Sequence, residues 1–247
     1  PYIEKSIIGF LCFCMISSAV YIINDIRDVE KDRIHPVKRM RPIASGKISK
    51  KQAMFLCGGC VMGVLVLSML FLNIIGLGII LVYFIMNVAY SMGLKNKPII
   101  DIVILAAGFV FRIIYGGIIT GIPISKWLYL VIVSGSLFMG LGKRRNELIL
   151  QKDTREVLKY YTKGFLDKNM YVCVALVIIY YSMWTLESTA TGMIWTVPVL
   201  MIIMMKYSMD IEGESDGDPV NVLLSDKLLL ILGFLYVICI FFMIYIL

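Results

Sequence analysis

Eight stretches of this chain stay apolar for about as long as a helix needs to cross a lipid bilayer, and no other feature constrains its fold as strongly. The hydrocarbon core takes about 20 helical residues to cross. Residues 6–23, 53–72, 74–92, 99–120, 124–141, 170–187, 193–209 and 228–247 meet or approach that length. Of the 247 residues, 60% are hydrophobic and 17% charged, against roughly 45–50% and 25% in soluble domains. One compact core cannot bury such an excess. A soluble enzyme, a secreted disulfide scaffold and a disordered chain are therefore excluded. Nothing alternates with period two, and lipid forbids open sheet edges. The sequence predicts an all-α, polytopic transmembrane helix bundle forming a single domain over 1–247.

The loops carry the charge. Residues 24–52 hold nine cations from Arg27 to Lys51, and 142–169 hold eight from Lys143 to Lys168, with Lys95 and Lys97 between them. The alternate loops, near 73, 121–126 and 188–192, contain Lys126 and no other basic residue. This asymmetry predicts an integral protein of the cell membrane with its large loops on the cytoplasmic side and Pro1 starting outside. The net charge of +7 is thereby explained without nucleic acid. No signal-peptide cleavage pattern follows 6–23. Cys57-Gly-Gly-Cys60 has redox or zinc spacing, but the single histidine, His35, lies elsewhere and no second thiol pair completes four ligands. All six cysteines read as small apolar packing residues. Gly59-x-x-x-Gly63 and Gly117-x-x-x-Gly121 read as helix-packing spacings.

The stretch Asn24-Asp25-Ile-Arg-Asp28-Val-Glu-Lys-Asp32 is the most informative about chemistry. At 100° per residue, Asn24, Asp25, Asp28 and Asp32 fall within an arc of about 100° on one helix face. Three carboxylates there repel one another, and the macrodipole disfavours acids at a helix C-terminus. A divalent cation relieves that strain, and Mg²⁺ takes one or two carboxylates plus phosphate oxygens. A solvated helix end, ion-paired with Arg27, Lys31 and Arg33, is the plainer alternative. In the following His35-Pro36-Val-Lys38-Arg39-Met-Arg41-Pro42, the prolines stop the helix and let the basic residues fold back toward the aspartates as phosphate ligands. Inward-facing loops hold basic residues in any case, and His35 reads as a loop hydrogen-bonder.

Two further groups stand out. Asp101, Leu105, Gly108, Arg112 and Gly116 form one helical stripe, with Arg112 about 16 Å deeper than Asp101. A mid-membrane arginine needs a polar cavity or an acidic partner. It either pairs structurally or holds an anionic substrate group. Lys143-Arg144-Arg145-Asn146-Glu147 places three cations and an acid on the same side as the aspartates, which points to a polyanionic ligand. The acidic loop Asp210–Asp218 does not match a calcium-loop spacing.

The aspartate pattern at the end of a membrane helix resembles the first aspartate motif of the UbiA superfamily of intramembrane prenyltransferases. The remaining motifs, His35-Pro-Val-Lys38-Arg-Met-Arg41-Pro-Ile-Ala-Ser-Gly, Tyr90-Ser91-x-x-Leu94-Lys95, Gly108-Phe-x-x-Arg112, Ser136-Leu-Phe and Gly142-Lys143-Arg144-x-x-Glu147-Leu, are similar to its decaprenyl-phosphate phosphoribosyltransferase branch. The likeness covers almost the whole chain. It implies eight helices here of a nine-helix fold, the first helix having no counterpart. Ordinary members carry a second aspartate cluster where this chain has Lys143, Arg144 and Glu147.

The resemblance implies transfer of 5-phosphoribose from phosphoribosyl pyrophosphate to a polyprenyl phosphate, a step of cell-wall biosynthesis. Asp25, Asp28 and Asp32 would hold Mg²⁺, with Asn24 beside them. Lys38, Arg39, Arg41, Lys143, Arg144 and Glu147 would line the donor's phosphates, and Tyr90, Lys95 and Arg112 the lipid. The alternative is a prenyltransferase of the same fold that uses a prenyl diphosphate and an aromatic or haem acceptor. A homo-oligomer is compatible with either. A transporter, the reading from a different class, would place its charges along a pore and not on one side of the membrane.

Overall fold

In the computed structural model, residues 2–150, 155–190, 192–213 and 217–245 are described. Lys152 of the second basic stretch and Glu214 and Asp216 of the acidic loop lie outside them. Nine α-helices occur among the described residues: α1 (Tyr2–Ile34), α2 (Lys50–Phe71), α3 (Ile74–Met92), α4 (Ile100–Thr120), α5 (Lys126–Leu150), α6 (Lys163–Glu187), α7 (Thr196–Glu212), α8 (Pro219–Ser225) and α9 (Lys227–Tyr245). No strand is present among those residues. Eight correspond to the eight apolar stretches. The ninth, α8, adds seven residues where the sequence predicted only loop; Asp218 caps its first turn and Pro219 starts it, a pairing suited to a helix N-terminus.

Seven of the helices are long and apolar enough to cross a membrane. The one long helix outside that set is α5, whose apolar run is diluted by Ser134, Gly135, Ser136, Gly140 and Gly142 before the charges from Lys143 begin. Large apolar side chains such as Phe55, Phe234 and Phe241 are exposed on the outside, as they are when lipid is the solvent.

Several helix ends follow from local chemistry. At the start of α2, Ser49 accepts from the Gln52 N–H while the Gln52 side chain reaches back to the Ser49 N–H, a reciprocal capping box. Asn73 caps α3 by accepting from Gly76 N–H at 2.6 Å, and Thr162 caps α6 by accepting from Phe165 N–H at 3.1 Å. Helix α1 ends at Ile34, two residues before Pro36, because the residue preceding proline is pushed out of the helical region. Its 33 residues span about 50 Å, well beyond the roughly 30 Å of hydrocarbon. Its last turns, with Asn24 to Asp32, therefore leave the apolar layer as continuous helix.

The chain divides into two compact units, one formed by Pro1–Lys97 with Phe111–Ile124 and the other by Pro98–Val110 with Ser125–Leu247. The core of the first joins Cys12, Phe13, Ile16 and Val20 of α1 to Val64 of α2, Ile80 and Tyr83 of α3, and Tyr115 and Ile119 of α4. A smaller cluster of Val29, Ile43 and Ala53 pins the loop after α1 against that helix. In the second unit, Ile102, Phe138, Leu141, Leu166 and Met170 pack with Val157, Leu158 and Tyr161 of the segment before α6, and with Ile211, Val222 and Leu229. The described cysteines are all free thiols; Cys12, Cys57 and Cys173 are buried in helix contacts, as small apolar residues would be.

Candidate functional site

In the first unit, the four residues of the acidic face are held by partners from two directions. Arg41 Nη1 donates to Asp25 at 2.8 Å and to Asp32 at 2.9 Å. Lys95 Nζ reaches both oxygens of Asp28, at 2.7 and 2.6 Å. Ser91 Oγ donates to the Asn24 side-chain oxygen at 3.2 Å. The crowding of acids at a helix C-terminus is thus relieved within the protein by two cations. Asp32 is nearly buried, and Asp25 and Asp28 are about one-fifth exposed.

The loop after α1 delivers Arg41. Its turn is organised by His35, whose Nδ1 accepts from the N–H groups of Val37 and Lys38, both at 3.2 Å; histidine acts here as a local cap, as the sequence predicts. Arg33 Nε donates to Ala44 O at 3.3 Å, and Ser45 N–H to Arg41 O at 2.9 Å. Lys95 arrives by a different route. Gly93 follows α3 at φ +148°, a conformation that glycine supplies without a steric penalty, and the chain turns so that Lys95 meets α1. Arg27 Nη2, donating to Met92 O at 3.2 Å, ties the same turn down. Lys38 is half-buried, Arg39 exposed, and Tyr90 half-buried near the end of α3.

Among the described residues, no three histidine, cysteine, aspartate or glutamate side chains gather closely enough to hold a metal ion. The donor chemistry still suits one. Asp25, Asp28 and Asp32 are hard oxygen ligands along one face, and Mg²⁺ needs only one or two such groups when phosphate oxygens complete its shell.

Arg112 stands apart from this group. It lines a cavity of about 520 Å³ with Phe10, Phe13, Ser17, Tyr21 and Tyr115, and its guanidinium carbon lies 5.5 Å from the centre of the Phe13 ring. Phe13 precedes Asp25 by twelve residues on the same helix, roughly 18 Å along its axis. The sequence stripe linking Asp101 to Arg112 is therefore real as a helix face, but the two side chains have separate surroundings.

In the second unit, the Lys143–Glu147 segment is mostly interior. Arg144 is fully buried and donates to Asp101 at 2.6 Å and to Glu147 at 2.5 Å. Tyr161 Oη donates to the other Asp101 oxygen at 2.5 Å and accepts from Ile99 N–H at 2.6 Å. Ile99 has φ +68°, which a β-branched residue adopts only under constraint. Burial, then donation to Asp101, holds the Tyr161 hydroxyl proton well above the ordinary range. Arg145 donates to Asp167 at 2.6 Å, and Asn146 Nδ2 to Ile211 O at 2.7 Å.

Lys143 is different: it is one-third exposed and pairs with Asp218 at 3.1 Å. Asp218 is itself held in place by Gly217, whose φ is +72° and whose Cα leaves no room for a Cβ against Asn146 and Lys143. Burial pushes the Asp218 carboxyl up, but Lys143 and the N–H groups of Val220 and Asn221 outweigh it and hold the group below its usual range.

The structure therefore brings together Asn24, Asp25, Asp28, Asp32, Arg41 and Lys95 in one group, and Lys143, Arg144 and Glu147 in another. Sequence reasoning assigned no role to Asp101, Tyr161, Asp167 or Asp218. Of these only Asp101 carried a signal, as an ionisable residue inside an apolar stretch.

The family model described as the UbiA prenyltransferase family matches residues 1–229. The decaprenyl-phosphate phosphoribosyltransferase of Mycolicibacterium smegmatis is 34% identical over 92% of this chain and 76% of its own length. That of Corynebacterium glutamicum is 35% identical over 97% of this chain and 75% of its own. Among solved structures, a UbiA homolog from Archaeoglobus fulgidus bound to GPP and Mg²⁺ superposes with a TM-score of 0.75 at 20% identity, covering 98% of this chain and 88% of that one.

Proposed function

Because the chain belongs to the UbiA prenyltransferase family and is an integral membrane protein, we propose that it transfers 5-phosphoribose from phosphoribosyl pyrophosphate to a polyprenyl phosphate, releasing diphosphate. The identity of about one-third to decaprenyl-phosphate phosphoribosyltransferases across nearly the whole chain carries this reading. The acidic face with its two cations suits it chemically, since a metal-bearing diphosphate needs both carboxylates and basic donors. Charge asymmetry of the loops supports a site on the cytoplasmic face.

Asp25, Asp28 and Asp32 would hold Mg²⁺ on the donor's diphosphate, with Asn24 fixed beside them by Ser91. When bound, the ion neutralises charge that develops on the leaving diphosphate. Arg41 and Lys38 donate to its oxygens, with exposed Arg39 next to them. Lys95, paired with Asp28, is a further donor to the diphosphate, Tyr90 lies on the last turn of α3, and the phosphate of the lipid is the nucleophile. An oxygen of that phosphate forms a bond to the anomeric carbon of the ribose as the bond from that carbon to the diphosphate oxygen breaks. The nucleophile is already an anion, so no general base is needed. Preorganised cations then act where charge accumulates.

In the second unit, Lys143 keeps enough exposure to meet an anionic group. Arg144, enclosed by Asp101 and Glu147, orders the segment that carries Lys143. Arg112 contributes to the membrane cavity, whose mostly apolar wall suits a polyprenyl chain.

The test is conversion of labelled phosphoribosyl pyrophosphate into an organic-extractable lipid by the protein in membranes supplied with polyprenyl phosphate and Mg²⁺. Product is expected with polyprenyl phosphate and not with a prenyl diphosphate plus an aromatic acceptor. The reverse preference would overturn the proposal.

A further inference from the structure

We infer that Arg41 and Lys95 are exchangeable counter-ions that make divalent-metal binding at Asp25, Asp28 and Asp32 depend on the diphosphate. The inference rests on reading this face as a metal–diphosphate site and adds an order of events to it. The oxygens a metal would use are already engaged: Arg41 spans Asp25 and Asp32 at 2.8 and 2.9 Å, and Lys95 clasps both oxygens of Asp28 at 2.7 and 2.6 Å. Three negative charges stand against two positive ones, so little net attraction remains for a bare cation. A metal arriving alone would push two cations off their partners and leave them facing another positive charge.

A metal arriving with diphosphate changes that balance. The phosphate oxygens accept the N–H groups that Arg41 and Lys95 release, and the carboxylates pass to the metal. Every strong donor and acceptor stays satisfied before and after the exchange. The elements differ in the way such an exchange requires. The carboxylates sit on α1, a continuous helix, whereas Arg41 belongs to a loop with its side chain 38% exposed and Lys95 to the turn set by Gly93. The exchange needs only the two cationic side chains to swing, while the helix that carries the carboxylates stays in place.

The alternative is that Arg41 and Lys95 are fixed clamps of the loop against α1. Clamps would change stability when removed but would leave the coupling between metal and diphosphate as large as in the parent protein, since phosphate oxygens that ligate the metal supply it directly. Equilibrium dialysis of the full chain in nanodiscs separates the two, with Mn²⁺ as the probe and inorganic diphosphate present or absent at matched free Mn²⁺. Diphosphate is expected to tighten Mn²⁺ binding at least tenfold, within the usual 5–150-fold range of such couplings. In Arg41→Gln and Lys95→Gln, Mn²⁺ alone should bind several-fold tighter and the coupling should shrink several-fold, since each variant removes one of the two counter-ions.

Equal Mn²⁺ affinity with and without diphosphate in the parent protein overturns the inference by itself, even if a variant fails to fold. Full coupling retained in both variants overturns it as well. Mn²⁺ bound without coupling leaves the proposed function standing, whereas no bound Mn²⁺ under any condition contradicts the metal–diphosphate reading from which the inference starts.

Discussion

Arg144 donates to Asp101 across 2.6 Å with both side chains wholly out of solvent, although 43 residues of chain separate them. A run of basic residues at a helix end would ordinarily be solvated. Here its middle member is an interior ion whose charge is met by Asp101 and Glu147. Removing one partner leaves an uncompensated buried charge, which typically costs about 3–5 kcal/mol. Asp101→Ala is expected to lower thermal stability in detergent by that order, and an unchanged melting temperature would contradict the assignment. Arg144→Lys should also destabilise, because a point charge cannot reproduce two fixed guanidinium bonds.

Tyr161 gives a sharper test of the same network. Tyr161→Phe removes the acceptor for Ile99 N–H and the donor to Asp101, and leaving such groups unmet costs about 1–3 kcal/mol. Ile99→Gly should behave oppositely. Its φ of +68° suits glycine and its side chain is 58% exposed, so stability should hold or rise by up to about 1 kcal/mol. A marked loss on Ile99→Gly would mean that the backbone there is not under strain.

Lys143 and Asp218 are both about one-third exposed, so their pair contributes little to stability, at most about 1 kcal/mol. Lys143→Gln is expected to fold normally and to lower transfer activity more than tenfold, seen by comparing turnover with melting temperature. The Asp218 carboxyl is held below its usual range. Its contribution is therefore present above the unfolded value near 4 and is lost as pH falls through the lower folded value. The stability difference between the parent and Asp218→Asn should shrink over that acid interval and not between pH 6 and 8.

Gly217→Ala tests the contact from the other side. A Cβ there would stand 2.9 Å from Asn146 Cβ and 3.0 Å from Lys143 Cα, at φ +72°. Loss of activity with the helices intact by circular dichroism is expected. Parent-like activity would show that this contact does not matter to the site.

The apolar stretches made the membrane helices legible, because length and hydrophobicity are local properties that lipid selects directly. The shared face of Asn24, Asp25, Asp28 and Asp32 was legible too, since it needs only a helix that continues past the apolar layer. Partnerships were not. Lys95 meets Asp28 across 67 residues because Gly93 turns the chain, and nothing in either residue's neighbourhood encodes that pairing. The stripe on α4 put Asp101 and Arg112 on one helix face, but one helix face can serve two different packing environments along its length. Tyr161 sits in a polar segment where an aromatic residue carries no periodic signal. The short helix α8 escaped notice because seven residues beside an acidic loop give neither length nor amphipathic pattern.

In the proposed function, the carboxylates on α1 act on a diphosphate through magnesium. The most direct measurement is the rate of phosphoribosyl transfer to polyprenyl phosphate by Asp25→Asn, Asp28→Asn and Asp32→Asn, each titrated with Mg²⁺ beside the parent protein. A fall of at least about a hundredfold is expected for Asp28→Asn, with a higher Mg²⁺ requirement wherever activity survives. Parent-like turnover and parent-like Mg²⁺ dependence in all three variants would contradict that role of the carboxylates.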